Sequence, residues 1–88
     1  MKTNTEYILR NIVGETVLIP TGKTTNEFNG LITLNSVAAL IWECISNGNT
    51  KDQILKAITE KYEVSEDVAR PDLDEFIEVL LENNMIEL

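Results

Sequence analysis

The spacing of apolar residues changes at Leu34-Asn35, and this change constrains the fold more than any other feature of the sequence. Before it, short runs of β-branched and large apolar residues are separated by turn-forming residues. Tyr7-Ile8-Leu9-Arg10 and Ile12-Val13 read as one strand, with a turn at Gly14-Glu15. Thr16-Val17-Leu18-Ile19 reads as the next, stopped by Pro20-Thr21-Gly22. Proline there lacks a ladder donor, and glycine permits the bend. Lys23 to Asn29 is polar except for Phe28 and reads as a loop, after which Gly30 opens a third strand, Leu31-Ile32-Thr33-Leu34.

After Asn35 the period lengthens to that of a helix. Asn35 or Ser36 is suited to capping a first helix, whose stripe is Val37, Leu40, Ile41, Cys44 and Ile45. Asn47-Gly48-Asn49 ends it. Thr50 and Gln53 have the spacing of a capping box ahead of Ile54, Leu55, Ile58 and Tyr62. Ser65 is placed to cap a third helix, with Glu66 and Asp67 at the positive end of its dipole. The stripe of that helix is Leu73, Phe76, Ile77, Leu80 and Leu81, and Pro71 should kink it or mark its true start. Met85 to Leu88 reads as a short extended tail that packs back. The expected fold is α+β and winged-helix-like: a three-stranded antiparallel sheet followed by three helices, in a single domain over residues 1–88.

Composition removes most chemistry. Seven Lys+Arg against 15 Asp+Glu give a net charge of −8, with no histidine. An acidic surface repels phosphate backbones, which argues against nucleic-acid binding. Without histidine the usual neutral-pH proton shuttle and the commonest metal ligand are missing. Cys44 lies on an apolar stripe with no imidazole to activate it, so it reads as a small buried hydrophobe. A lone thiol builds no metal site, and no segment has the alternating oxygen ligands of a calcium loop. Gly22-Lys23-Thr24 resembles the end of a phosphate loop, but Val17 stands where its first glycine would be. No catalytic residue, metal site or cofactor is expected. Trp42 reads as core. The longest uninterrupted apolar run, Val37 to Trp42, is too short to span a bilayer, and the first ten residues carry no signal peptide. A cytoplasmic, non-membrane protein is expected.

Binding surfaces remain. Leu31-Ile32-Thr33-Leu34 has none of the lysines or prolines that usually blunt an edge strand, so it invites an extended peptide to pair with it. Val79 lies off the apolar stripe of the third helix. With Phe76 and flanking Asp72 and Asn83 it outlines a second face suited to walling a groove. Asp74, Glu78 and Glu82 recur at i, i+4 and i+8, which reads either as a solvated helix face or as a docking surface for a basic partner.

The chain also resembles the PqqD-like proteins. The similarity is carried by Tyr7-Ile8-Leu9-Arg10, Gly14-Glu15 and Val17-Leu18-Ile19-Pro20, then by Leu34-Asn35 with Ala38 and Ile41-Trp42-Glu43. Gly48 with Thr50, Ile54 and Ile58, Tyr62 with Val64, Asp72-Leu73 with Phe76, Leu80-Leu81 and Met85-Ile86 complete it. No single element is diagnostic; the ordered set is. The resemblance implies a RiPP recognition element, a non-catalytic peptide chaperone. Such a domain binds the leader of a ribosomally made precursor peptide and presents it to a modifying enzyme, often a radical SAM protein. It places the leader as an added strand along Leu31, Ile32, Thr33 and Leu34, facing Asp72, Phe76 and Val79.

Two other readings compete. A DNA-binding winged helix shares the fold, but its recognition helix would hold Arg70 as its only cation against seven acids. A structural subunit would dock on an enzyme through Asp74, Glu78 and Glu82. Either a monomer or a homodimer is compatible with the sequence, since a bare edge can pair with its own copy.

Overall fold

The computed structural model describes residues 1–21 and 32–87. The chain runs β1 (Lys2–Thr3), β2 (Tyr7–Ile12), β3 (Glu15–Pro20) and β4 (Ile32–Leu34). It continues through α1 (Ser36–Ser46), α2 (Lys51–Tyr62), α3 (Glu66–Glu82) and β5 (Ile86–Glu87). Strands β2, β3 and β4 form an antiparallel sheet in that order, and β1 pairs with β5 in a separate two-stranded ribbon. The α+β arrangement of a three-stranded sheet and three helices is the one the sequence predicts. Gly30, Leu31 and the expected loop at Lys23 to Asn29 lie outside the described residues.

The β2–β3 turn is displaced by one residue from its expected place. Ile12 pairs with Glu15, which leaves Val13 and Gly14 as a two-residue loop. Both have positive φ, 52° and 81°, the signature of a type I′ turn that matches the right-handed twist of its strands. Glycine takes this conformation freely, whereas Val13 is β-branched, fully exposed at 97%, and held where its Cβ is crowded. Pro20 closes β3 opposite Tyr7, at the strand end, where a missing donor is tolerated.

Each helix begins as its sequence suggests. The Asn35 side chain accepts from the Ala38 amide at 2.8 Å and caps α1. Thr50 and Gln53 form both bonds of the capping box at α2, at 3.2 and 2.8 Å. Ser65 occupies the N-cap position of α3 without a side-chain hydrogen bond. Pro71 does not mark the start of α3; it sits inside a helix that begins at Glu66. Its ring removes the amide that would donate to the Asp67 carbonyl. Tyr62 is followed by Glu63 in the left-handed region, φ 52°, which turns the chain towards α3.

The ribbon of β1 and β5 is the element the sequence conceals. The tail after α3 is extended and packs back as expected, but its partner is the N-terminus. Lys2 and Thr3 pair with Glu87 and Ile86, and the Asn4 amide donates to the Met85 carbonyl at 2.9 Å. Two-residue strands carry no readable periodicity.

One core joins the sheet to the three described helices. Its innermost side chains are Leu18 from β3, Ile45 from α1, Ile54 from α2, and Leu73 and Leu80 from α3. Trp42 is 3% exposed and meets the Tyr7 ring edge-on, with centroids 6.5 Å apart. Cys44 is buried on the same helix. The Lys51 ammonium pairs with the Asp74 carboxylate and ties the start of α2 to α3. No described helix is long and apolar enough to cross a membrane.

Candidate peptide-binding groove

Strand β4 is an outer strand of the described sheet, with β3 on one side and no described strand on the other. Its register sets Ile32 opposite Leu18, Thr33 opposite Val17 and Leu34 opposite Thr16. Alternation then sends Ile32 and Leu34 to the face that packs on the core, while Thr33 is exposed on the opposite face. A further strand laid beside β4 would alternate in the same way, with every second side chain directed towards the helices.

Beyond Leu34 the chain turns directly into α1, and a groove opens at that corner. It has a volume of about 550 Å³ and lies between the first turns of α1, the end of α2 and the first half of α3. Asn35, Val37, Ala38 and Ile41 form one wall, and Val68, Asp72, Leu73 and Phe76 the other. Tyr62 and Val64 close the end. The lining is mainly apolar with a few polar groups, the usual make-up of a ligand site. The Tyr62 hydroxyl is buried, with no hydrogen-bond partner among the described residues, and Lys61 lies over its ring at 5.7 Å from the centroid.

The expected site residues divide. Asp72 and Phe76 line the groove, Asp72 exposed and Phe76 half-buried. Ile32, Thr33 and Leu34 are not part of its lining but lead into it through Asn35. Val79 sits on α3 beyond Phe76 and outside the groove, 45% exposed. Leu31 lies outside the described residues. The first turn of α1 and the Tyr62–Val64 corner are additions, since their residues read only as cap and core. A sequence signal for the far rim exists in Val68, 59% exposed. It precedes Asp72 by four positions, so Val68, Asp72, Phe76 and Val79 share one face of α3.

The acidic face separates as well. Asp74 is half-buried and already paired with Lys51, which gives it an internal role. Glu78 and Glu82 are exposed and enter no ion pair among the described residues. Arg70, the one cation of α3, faces Glu66 at 3.7 Å. Among the described residues, no three of the groups that ligate metals come together.

Two solved structures resemble this one over nearly their full lengths. TbiB1, in complex with the TbiA(beta) leader peptide, superposes with a TM-score of 0.80 at 25% identity, covering 99% of this chain and 95% of TbiB1. A lasso peptide synthetase B1, complexed with the leader peptide, gives a TM-score of 0.76 at 25% identity, covering 96% of this chain and 93% of that one. No curated protein sequence matches the chain. The family model described as coenzyme PQQ synthesis protein D (PqqD) matches residues 15–86, from the first residue of β3 into β5. That span takes in β4, the three described helices and both walls of the groove, and the chain belongs to the PqqD family.

Proposed function

We propose that the protein is a non-catalytic chaperone that binds the leader of a ribosomally made precursor peptide and presents it to a modifying enzyme. The observation that carries this reading is an outer strand, β4, that leads into an apolar groove walled by α3. The leader adds as a strand along Leu31 to Leu34, where main-chain hydrogen bonds supply affinity. Its inward side chains meet Asp72 and Phe76, and Val79 extends the contact along α3. Two similar proteins held in complex with leader peptides support it. The whole span of residues 1–88 acts as one binding domain. In this reading the enzyme that receives the peptide, a radical SAM protein, supplies the catalytic groups.

The test is titration of the leader of the precursor peptide encoded beside this chain's gene, by calorimetry, against the wild-type chain and Val79→Glu. Binding by the wild type that is weakened in Val79→Glu is the expected result. Absence of binding, or binding indifferent to Val79→Glu, Phe76→Glu and Ala38→Trp alike, overturns the assignment. Duplex DNA is a poor alternative occupant of α3, because Arg70 is engaged by Glu66 and the exposed groups around it are acidic.

A further inference from the structure

The groove is apolar along its walls and carries a free charge at its rim. Of its polar residues, Asn35 uses its side chain to cap α1, and the Tyr62 hydroxyl is buried. Asp72 is different: it is exposed, and it joins none of the ion pairs formed by the described residues. Of the six described cations, Lys2 pairs with Glu87, Lys51 with Asp74 and Arg70 with Glu66; Arg10, Lys56 and Lys61 enter no ion pair among the described residues, Lys61 lying over the Tyr62 ring, and none of the six lines the groove. Glu75, one turn further along α3, is exposed and adds to the same field.

We infer that the leader segment seated in this groove places an apolar side chain between α1 and α3 and carries a lysine or arginine close to it, paired with Asp72. The inference rests on the leader-binding reading and specifies the chemistry of the ligand. A volume of about 550 Å³ admits an apolar anchor with room for its neighbours. Removing that anchor from water supplies the affinity. The ion pair lies at an exposed rim, where such pairs contribute little to affinity but penalise the wrong charge. Asp72 is therefore a residue that selects and registers the leader, and the −8 charge of the chain as a whole adds a weaker, salt-screened bias in the same direction.

The experiment is selection of short random peptides, displayed in vitro, on the wild-type chain and on Asp72→Lys, with circular dichroism to confirm that both are folded. Wild-type selections are expected to enrich Lys or Arg at a fixed spacing from an apolar residue. Asp72→Lys is expected to replace that cation with Asp or Glu at the same spacing. Changing the enriched cation to Gln should weaken binding to the wild type about two- to five-fold, as for an exposed ion pair. The same change should leave binding to Asp72→Asn unaltered. Peptides that bind both chains, and lose binding to Ala38→Trp, yet show no charge preference would overturn this inference and leave leader binding standing. Failure to select any peptide on either chain would overturn both.

Discussion

Replacing Val13 by asparagine should stabilise the protein, and the size of the gain follows from the turn. Val13 sits at φ 52° in a two-residue type I′ loop, where an L side chain costs about 1–2 kcal/mol and a branched Cβ lies at the upper end. Nothing offsets this through burial, because the side chain is 97% exposed. Asparagine tolerates the left-handed region and, ahead of Gly14, makes the pair most favoured in such hairpins. Removing an exposed valine forfeits almost no buried area, so the net gain should be about 1 kcal/mol. For a chain of this size that is a rise in Tm of about 4–8 °C. Val13→Gly relieves the same strain but returns about 0.5–1 kcal/mol to the entropy of the unfolded chain, so it should fall close to wild type. The assay is thermal and urea unfolding of the three proteins, followed by circular dichroism. The expected order is Asn above Gly, with Gly equal to or above Val. A Val13→Asn protein that folds but melts at or below the wild-type temperature would refute the reasoning, because it would show that the turn stores no strain.

Pro71→Ala restores an amide donor to the Asp67 carbonyl within α3; urea unfolding should show a gain of about 1–2 kcal/mol after the entropy of the freed unfolded chain is subtracted. Thr50→Ala removes one half of the capping box at α2 and should cost about 1 kcal/mol in the same measurement. A double-mutant cycle on Lys51 and Asp74 should return no more than about 1 kcal/mol of coupling, since both side chains are nearly half exposed. Leu73→Ala opens a cavity where the helices meet the sheet, and a loss of about 2–5 kcal/mol in unfolding free energy is expected.

Much of the fold was legible because the elements with core-facing stripes are long. Val37 to Ile45 and Leu73 to Leu81 repeat at helical spacing, and capping residues stand where each helix begins. The turn at Val13-Gly14 falls one residue before the place its glycine suggests, because a branched residue is a poor candidate for positive φ. The β1–β5 ribbon was invisible because pairing between two-residue strands is decided by where α3 delivers the tail. The site was legible in part for the same reason. Asp72, Phe76 and Val79 share a helix face that spacing reveals. The opposite wall, Asn35 to Ala38, faces them only because α1 turns off the end of β4. Asp74 shows the limit of a charge pattern. It belongs to an acidic row in the sequence, yet its carboxylate is claimed by a lysine at the start of another helix.

The ribbon of β1 and β5 makes the backbone nearly a ring. Asn4 donates through both its amide and its side chain to residues 80 and 81 positions later, each at 2.9 Å, and Lys2 and Glu87 lie side by side. A short flexible linker between them would close that ring without strain, and a new opening could be cut at Asn47-Gly48, an exposed turn between α1 and α2. In such a permutant α2 and α3 would precede the sheet, while β4 and the first turn of α1 would remain continuous. The groove would thus be preserved in a chain whose ends emerge at the C-terminal end of α1, away from its groove-lining first turns, which provides a way to tether a partner there without touching the edge strand.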